Sequence, residues 1–356
     1  MLNHGGDLDM INQKYNIPKN SIIDFSGNIN PLGMSNKIKN TISSNIDVIT
    51  TYPDKNYSTL KKSISNYCNC SENSIIVGNG ATEIISLFIK NLSPKNAIIV
   101  SPSYSEYERE LKNNNCNIHF FHLKEEDNFI LNIQNLLNII NDKIDLVILC
   151  NPNNPTGTAL NNDQIKLLLE KCKFLMIDET YAEFSSESEN ICATSLVDYY
   201  DNLFIIRGTS KFFAIPGIRL GYGICKNKDI LHKINKYKDP WSVNSIANLI
   251  GITIFNDIEY IKATKNLIST QKKYIFKELS NINNLKFYDS KSNFILCKIL
   301  NKKTTSTNLF EILIKENILI RDAKNFTFLD DSFFRFCILS EENNKRLINK
   351  LKNILL

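Results

Sequence analysis

One segment of the chain reads Ser210-Lys211-Phe212-Phe213-Ala214-Ile215-Pro216-Gly217-Ile218-Arg219-Leu220-Gly221-Tyr222. It follows an apolar run at residues 203–206, so Lys211 is expected just beyond the end of a buried strand. A lysine that loses its proton can attack an aldehyde, and Arg219 is a permanently charged donor for a phosphate. The segment predicts a site for an aldehyde cofactor that carries a phosphate. The alternative is that Lys211 is one of many surface lysines. Other parts of the sequence are needed to decide between the two interpretations.

Two more apolar runs lead directly into polar residues. Residues 146–150 are followed by Asn151-Pro152-Asn153-Asn154-Pro155-Thr156-Gly157, and residues 174–177 by Asp178-Glu179-Thr180-Tyr181. Open α/β sheets bind ligands at the carboxyl ends of their strands. An aspartate in this place is otherwise typical of a helix N-cap. Beside a pyridine ring, however, Asp178 would pair with the ring nitrogen and keep it protonated. These residues together predict pyridoxal phosphate as the cofactor.

A glycine turn provides a candidate phosphate site. Ser74-Ile75-Ile76-Val77 is typical of a strand, Gly78-Asn79-Gly80 of a turn, and an apolar-periodic helix is expected from Ala81. A helix N-terminus offers unpaired N–H groups and the positive end of its dipole to a phosphate. The turn lacks the third glycine of a dinucleotide fingerprint and the Gly-Lys-Ser/Thr of a Walker loop. The backbone amides of Gly80 and Ala81 are therefore candidate phosphate donors.

Apolar runs and helical patterns alternate along the first two thirds of the chain. Candidate strands lie at residues 97–100, 118–121, 146–150, 175–177, 203–206 and 220–224, with helical patterns such as 164–172 between them. This alternation predicts an α/β fold with a largely parallel sheet covered by helices. A helical stretch at 246–279, broken near Asn256-Asp257, leads to strands at 294–299, 318–321 and 334–338 and a helix at 341–355. We expect an N-terminal segment at 1–34, a large domain at 35–239 and a smaller α+β domain at 240–356.

Composition limits the function classes. The chain has 356 residues, a net charge of +5 and 43% hydrophobic residues, with its lysines scattered and not in blocks. Binding of nucleic acid or of a membrane is not indicated. Nine cysteines and four histidines form no metal-ligand spacing, so no metal site is expected and the thiols are expected to be reduced. No signal peptide or membrane-length apolar run is present, which predicts a cytoplasmic protein.

The order of the polar residues resembles the class I/II aminotransferases, a superfamily of fold-type I pyridoxal phosphate enzymes, over essentially the whole chain: Asn154, Asp178, Tyr181, Lys211 and Arg219. The resemblance implies that Lys211 bonds covalently to the cofactor and that Asp178 pairs with its ring nitrogen. Asn154 and Tyr181 would hydrogen-bond its phenolic oxygen. Lys211, Asp178 and Tyr181 would then be the catalytic residues.

The resemblance also implies which residues would bind the cofactor phosphate and which would stack on the cofactor ring. Arg219 would bind its phosphate, helped by Ser210 and by the backbone amides of Gly80 and Ala81. Tyr104, in Ser101-Pro102-Ser103-Tyr104, would stack on its ring.

One position departs from the family pattern. Three residues before the lysine, where the family often has Ser or Thr, this chain has Gly208. One side-chain contact to the phosphate is therefore expected to be missing, unless Thr209 supplies it.

Two arginines are candidates for binding the substrate. Arg335, in Phe333-Phe334-Arg335-Phe336-Cys337, matches the family arginine that holds the substrate carboxylate through a two-pronged contact. A charged residue in an otherwise apolar strand needs a partner. Arg321, in Ile318-Leu319-Ile320-Arg321-Asp322, is a second such case, for which a salt bridge to Asp322 is the structural alternative.

The N-terminal segment narrows the resemblance. His4-Gly5-Gly6, residues 24–34, Tyr52-Pro53-Asp54 and Pro240-Trp241-Ser242-Val243-Asn244 are similar to the threonine-phosphate decarboxylases of cobalamin synthesis. The sibling family is that of the histidinol-phosphate aminotransferases, which usually lack the His-Gly-Gly start. The similarity implies that His4 and Arg321 hold a substrate phosphate, with Asn28 near the carboxylate. It also implies a homodimer with shared active sites, in which Tyr52 reaches the cofactor phosphate of the neighbouring subunit.

Two reactions remain open for a small phosphorylated amino acid. Decarboxylation of L-threonine O-3-phosphate would give (R)-1-amino-2-propanol O-2-phosphate, whereas transamination of histidinol phosphate would need 2-oxoglutarate. Both begin with displacement of Lys211 by the substrate amine. A cofactor-binding sensor module of a transcription regulator is disfavoured, since no residues remain for a DNA-binding domain. A nucleotide-binding kinase is disfavoured because no phosphate loop with its lysine is present.

Overall fold

The computed structural model describes residues 5–301 and 303–355. Its first strands are β1 (Ile23–Asp24), β2 (Ile75–Gly78), β3 (Asn96–Ser101), β4 (Asn117–His122), β5 (Leu146–Cys150), β6 (Leu175–Asp178), β7 (Leu203–Gly208) and β8 (Gly221–Ile224). All except β1 belong to one seven-stranded sheet in the order β2-β8-β7-β6-β5-β3-β4. Strands β3 to β7 run parallel, and β8 runs antiparallel to β2 and β7. The predicted mostly parallel central sheet is therefore confirmed.

Buried apolar residues cover both faces of this sheet. Successive residues of a strand point to opposite faces, and in β5 Val147 and Leu149 join one apolar cluster while Leu146 and Ile148 join another. Such two-sided burial explains why the strands have nearly continuous apolar runs.

The first eleven helices of the described residues lie before the second sheet. They are α1 (Leu8–Tyr15), α2 (Asn36–Ser44), α3 (Ser58–Cys68), α4 (Ala81–Leu92), α5 (Ser105–Asn113), α6 (Ile133–Ile139), α7 (Asn162–Leu169), α8 (Ser188–Ile191), α9 (Lys228–Tyr237), α10 (Ser245–Ile254) and α11 (Ile258–Leu279).

A second, antiparallel sheet is built from the C-terminal third of the chain. The remaining elements are β9 (Leu285–Phe287), β10 (Phe294–Ile299), α12 (Ser306–Ile314), β11 (Ile318–Leu319), β12 (Arg321–Asp322), β13 (Phe333–Cys337) and α13 (Glu341–Leu355). Four of these strands form a sheet in the order β12-β13-β10-β9. None of the helices in residues 5–301 and 303–355 combines the length and the apolar character that a bilayer span requires.

The predicted strand at residues 318–321 is in fact two short strands in different sheets. Strand β11 pairs in parallel with β1, whereas β12 pairs with β13 in the antiparallel sheet. The change occurs at Ile320, whose side chain is fully buried. The apolar run could not reveal this change of partner, because both short strands are buried.

The N-terminal segment packs against the C-terminal part of the chain. Besides the pairing of β1 with β11, the hydroxyl of Tyr15 donates to Glu311 at 2.7 Å, and the ring of Tyr15 lies 6.2 Å from that of Phe310. The amide of Gly6 donates to the hydroxyl of Ser26 at 2.9 Å. These contacts agree with the expectation that the N-terminal segment packs with the smaller domain. The exact boundaries, 1–34, 35–239 and 240–356, stay a prediction.

Candidate active site

A cavity of about 320 Å³ opens at the carboxyl ends of β5, β6 and β7. The starts of α4 and α5 and the end of the β12–β13 pair complete its wall. Ten of the residues proposed from the sequence line it: Ala81, Tyr104, Asn154, Asp178, Tyr181, Ser210, Lys211, Arg219, Arg321 and Arg335. Residues that are far apart in the sequence therefore meet because the ends of parallel strands share one edge of the sheet.

Lys211 lies three residues beyond the end of β7. Its Nζ donates to the carbonyl oxygen of Gly27 at 2.9 Å. Burial, together with the positive charges of Arg335 and Arg219, lowers the pKa of this amine to about 8, against an opposing effect of Asp24. A substantial fraction of the amine is thus neutral near physiological pH, which is the state that attacks an aldehyde.

Asp178 is the last residue of β6, and its side chain is almost fully buried. Its Oδ1 accepts from the amide of Thr180 at 2.9 Å, and its Oδ2 accepts from the hydroxyl of Tyr107 at 2.7 Å. Burial raises the pKa of Asp178, while these hydrogen bonds oppose the rise. A buried carboxylate with donors on both oxygens is well placed to hold a cationic ring nitrogen.

Asn154 and Tyr181 follow β5 and β6 and face the same cavity. The Oδ1 of Asn154 accepts a hydrogen bond from Nη1 of Arg335. The hydroxyl of Tyr181 accepts from Nδ2 of Asn28 at 3.3 Å, and its ring packs edge-on against Phe294 with centroids 5.0 Å apart. Burial raises the pKa of Tyr181, so its phenol keeps its proton and remains a donor.

At another part of the cavity wall, the start of α4 and the guanidinium of Arg219 come close together. Gly80 precedes α4 with a φ of +83°, and a Cβ there would lie 2.3 Å from Nη2 of Arg219. A Cβ on Gly221 would lie 2.4 Å from the amide nitrogen of Ala81. Only glycine leaves room for the guanidinium and the helix start to come this close. The first amides of α4, the Ser210 side chain and Arg219 therefore form one donor set.

Gly208 leaves a gap in this donor set. A Cβ at Gly208 would make ordinary contacts, 3.4 Å to Cβ of Ala81 and 3.8 Å to Oγ1 of Thr180. Thr209 does not replace the missing hydroxyl, because its own hydroxyl is buried and donates to the carbonyl of Leu220 at 3.0 Å. A Cβ can be added at Gly208 without a clash.

Arg321 and Arg335 lie side by side in the wall of the cavity. They are directly opposed residues of β12 and β13, and both are buried. Nη2 of Arg335 donates to the carbonyl of Ser26 at 2.7 Å, and Nη2 of Arg321 donates to Oδ1 of Asn325 at 2.7 Å. Burial and the charge of Arg335 lower the pKa of Arg321 to about 10. Like charges held together out of water favour the binding of anions.

Four predicted residues are not in the cavity lining: Gly80, Asn28, Tyr52 and His4. Gly80 immediately precedes Ala81, which does line the cavity. Asn28 is buried behind Tyr181, to which it donates. Tyr52 is 80% exposed, and its ring lies 4.9 Å from that of Trp241. His4 lies outside the described residues, so its role stays a prediction.

Sequence reasoning missed several residues of the wall. The most important is Tyr107, which binds Asp178 and lies three residues after Tyr104 on the same first turn of α5. That spacing on a helix was a usable signal, because residues three apart share a face. Others are Ser26, Gly27, Asn325, Phe326 and Thr327, which come from irregular segments with no periodic pattern.

Comparison with known proteins identifies the family. The chain matches the family described as Aminotransferase class I and II over residues 20–351. It is 40% identical over 331 residues to a Caldanaerobacter subterraneus subsp. tengcongensis protein named "Putative threonine-phosphate decarboxylase", covering 92% of this chain and 89% of that protein. It is 33% identical over 348 residues to the histidinol-phosphate aminotransferase of Methanosphaera stadtmanae, covering 97% and 93%. The crystal structure of the histidinol-phosphate aminotransferase of Clostridium acetobutylicum superposes with a TM-score of 0.87 at 37% identity, covering 93% and 98%.

The chain therefore belongs to the class I/II aminotransferase family. It is a pyridoxal phosphate-dependent enzyme, and the cavity fits that cofactor: a partly neutral amine, a buried carboxylate and a phosphate-sized donor set surround one space. We propose that Lys211 holds the cofactor covalently, that Asp178 binds its ring nitrogen, and that Asn154 and Tyr181 bind its phenolic oxygen. We further propose that Tyr104, at the start of α5, stacks on the ring.

The lowered pKa of Lys211 predicts an unusual reactivity of the cofactor-free protein. Acetic anhydride should label Lys211 with a midpoint near pH 8, because only the neutral amine reacts, whereas ordinary lysines titrate at about 10.4. The substitution Arg335→Met should move the midpoint to higher pH, because it removes a nearby positive charge. Peptide mass spectrometry of samples labelled across a pH series measures both. An ordinary midpoint for Lys211, or one insensitive to Arg335, would contradict this account of its environment.

The gap at Gly208 predicts that Gly208→Ser strengthens cofactor binding. The added hydroxyl would lie among the phosphate donors, and one such hydrogen bond contributes about 0.5–1.5 kcal/mol, roughly a two- to tenfold lower dissociation constant. Equilibrium dialysis against pyridoxal phosphate measures the change. Gly217→Ser is the matched control, because a Cβ there has no neighbour within 4 Å. Equal or weaker binding by the Gly208 variant would show that the gap is not part of the phosphate site.

Proposed function

We propose that this enzyme decarboxylates L-threonine O-3-phosphate, releasing carbon dioxide and forming (R)-1-amino-2-propanol O-2-phosphate. The observation that carries the proposal is the pair Arg321 and Arg335, two buried guanidinium groups on opposed positions of β12 and β13. Arg219, in another part of the cavity wall, lies against Gly80. In our proposal it binds the cofactor phosphate and not the substrate. Two cations are therefore left for the substrate.

The charges of the substrate match this pair. L-Threonine O-3-phosphate has a carboxylate on its α-carbon and a phosphate on the neighbouring carbon, so its two anions lie close together. Arg335 would take the carboxylate and Arg321 the phosphate, through charge-assisted hydrogen bonds. Histidinol phosphate has a single anionic group, so it would match only one of the two guanidinium groups.

The N-terminal segment supports the same substrate. Gly5 lines the cavity next to Ser26 and Gly27, and a Cβ on Gly5 would lie only 2.1 Å from the carbonyl oxygen of Ser26. The segment thus narrows the space around the two arginines, which favours a compact substrate. His4 immediately precedes this glycine, and we propose that its imidazole is a further donor to the substrate phosphate.

The reaction depends on how the protein orients the substrate. When bound, pyridoxal phosphate supplies an electron-accepting ring that takes up the electron pair of whichever α-carbon bond stands perpendicular to its plane. Arg321 would anchor the phosphate so that the bond to the carboxylate, and not the bond to hydrogen, adopts that direction. Lys211, freed by the substrate amine, would then return a proton from Nζ to the α-carbon. Its lowered pKa suits a group that exchanges protons near neutral pH.

One observation favours transamination of histidinol phosphate as a second candidate. Glu108 and Phe120 lie in the cavity wall. The Glu108 carboxylate, which also forms an ion pair with Lys112, could accept a hydrogen bond from an imidazole N–H, and the Phe120 ring could pack against an imidazole.

The two reactions are separated by a single assay of the holoenzyme. We expect carbon dioxide from carboxyl-labelled L-threonine O-3-phosphate without any keto acid, and no glutamate from histidinol phosphate with 2-oxoglutarate. Trapped radioactive carbon dioxide and amino acid analysis measure the two products. Turnover of histidinol phosphate alone, dependent on 2-oxoglutarate, would replace our proposal with the second candidate.

Arg321 should determine the preference for a phosphorylated substrate. Arg321→Gln removes a charged hydrogen-bond donor worth about 1.5–3 kcal/mol, so kcat/KM for L-threonine O-3-phosphate should fall roughly ten- to a hundredfold. Activity with unphosphorylated L-threonine and the absorbance of bound cofactor should change little, because Arg219 is untouched. Arg346→Gln is the control, because Arg346 is an exposed arginine that donates to the carbonyl of Glu316. An unchanged ratio of kcat/KM for the two substrates would remove Arg321 from the phosphate site.

We also propose that the enzyme is a homodimer with shared active sites. Tyr52 and Trp241 are 80% and 44% exposed, and the neighbouring Ile46 and Ile49 are 49% and 62% exposed. Together they form an apolar surface of the kind that protein partners cover. Tyr52 does not line the cavity of its own chain, which supports the proposal that it binds the cofactor phosphate of the partner.

Mixing two inactive variants tests this shared site. A Lys211→Ala subunit and a Tyr52→Ala subunit should together regain activity, because one site of the mixed dimer would combine Lys211 of one chain with Tyr52 of the other. Sedimentation should give twice 40.8 kDa for the wild type. A monomeric mass, or a mixture no more active than the separate variants, would rule out a Tyr52 that acts across the interface.

A further inference from the structure

Within residues 5–301 and 303–355, Tyr107 is a phenol that donates directly to the Asp178 carboxylate. The distance from its hydroxyl to Oδ2 of Asp178 is 2.7 Å, and its side chain is fully buried. The amide of Thr180 occupies the other carboxylate oxygen at 2.9 Å. Each oxygen of Asp178 thus has a protein donor, and the side chains of Asp178 and Tyr107 both line the cavity.

The fold holds Tyr107 in place from two sides. It lies on the first turn of α5, where the ring of Tyr104 meets its own ring edge-on with centroids 5.6 Å apart. Cys150, the last residue of β5, lies in the same part of the cavity wall. A phenol with no exposed surface and aromatic packing of this kind has little rotational freedom, so the direction of its hydrogen bond is fixed.

The hydrogen bond has an electrostatic consequence. Burial raises the pKa of Asp178, which favours a neutral acid that could no longer neutralise a cationic ring. A donor to the carboxylate opposes that effect. Burial and the nearby Asp178 raise the pKa of Tyr107 itself, so its hydroxyl is always the donor of this pair and never competes for the proton.

We propose that Tyr107 is a positioning residue of the active site: its hydroxyl holds Asp178 as an anion and directs the carboxylate at the ring nitrogen of the cofactor, so that the shared proton stays on the ring. The role follows from the contacts of Asp178 and holds whether the substrate is L-threonine O-3-phosphate or histidinol phosphate. Tyr107 acts through Asp178 and does not touch the reacting atoms.

The test uses holoenzyme reconstituted with pyridoxal phosphate labelled with ¹⁵N in its ring. In Tyr107→Phe, the ¹⁵N chemical shift should move towards that of an unprotonated pyridine, because Asp178 binds the shared proton more tightly. The dissociation constant of the cofactor should rise roughly tenfold, as expected for the loss of a hydrogen bond to a charged group. Tyr57→Phe is the matched control: it removes an equally buried phenol hydroxyl that donates to the carbonyl of Val243 at 3.0 Å, outside the cavity.

A second variant keeps the test decisive if Tyr107→Phe folds poorly. A fluorinated tyrosine incorporated at position 107 keeps the shape of the ring but has a more acidic hydroxyl, which is a stronger donor. Its ¹⁵N shift should move in the opposite direction, towards the fully protonated ring. An unchanged ring shift in either folded variant, or the same change in Tyr57→Phe, would overturn the proposal, whereas the identity of the substrate would be unaffected.

Discussion

The positive charges that share one buried cavity are the constraint on which the site depends. Arg335 lies close enough to Lys211 and to Arg321 for its charge to lower the pKa of both groups, and the two arginines are buried. The acceptors of Lys211 and Arg335 are neutral oxygens, those of Gly27, Asn154 and Ser26. Neutral acceptors satisfy the hydrogen bonds but leave much of the charge in place. The cavity thus keeps a positive potential that attracts anionic substrates.

The central sheet makes this concentration of charge possible. Strands β5, β6 and β7 are buried along their whole length and end at a common edge. Asp178, at the end of β6, therefore lies close to Asn154 and Lys211, which follow β5 and β7. The antiparallel sheet contributes Arg321 and Arg335 to the wall of the same cavity. A scaffold with two rigid parts can thus bind cofactor and substrate with separate sets of residues, which allows related enzymes to change substrate without changing the cofactor site.

Much of this arrangement could be predicted from the sequence, because the relevant residues follow strong apolar runs. Lys211, Asp178 and Asn154 each come soon after a buried strand, and strand ends converge by topology. The orientation of the Thr209 side chain could not be predicted. Its hydroxyl donates to the carbonyl of Leu220, a contact that the neighbouring residues Gly208 and Ser210 do not indicate. The hydrogen bond between Tyr107 and Asp178 could not be predicted either, because the two residues are 71 positions apart in the chain. Such contacts follow from packing between elements, for which a single sequence has no periodic signal.

The change of sheet at Ile320 has a consequence for how related sequences are aligned. Leu319 pairs with Asp24 in one sheet, and only two residues later Arg321 pairs with Arg335 in the other. Because neighbouring residues of a strand face opposite sides, inserting or deleting one residue here would turn the Arg321 guanidinium out of the cavity. An alignment that opens a gap between residues 318 and 322 is therefore misplaced, and length differences between relatives belong in the loops on either side.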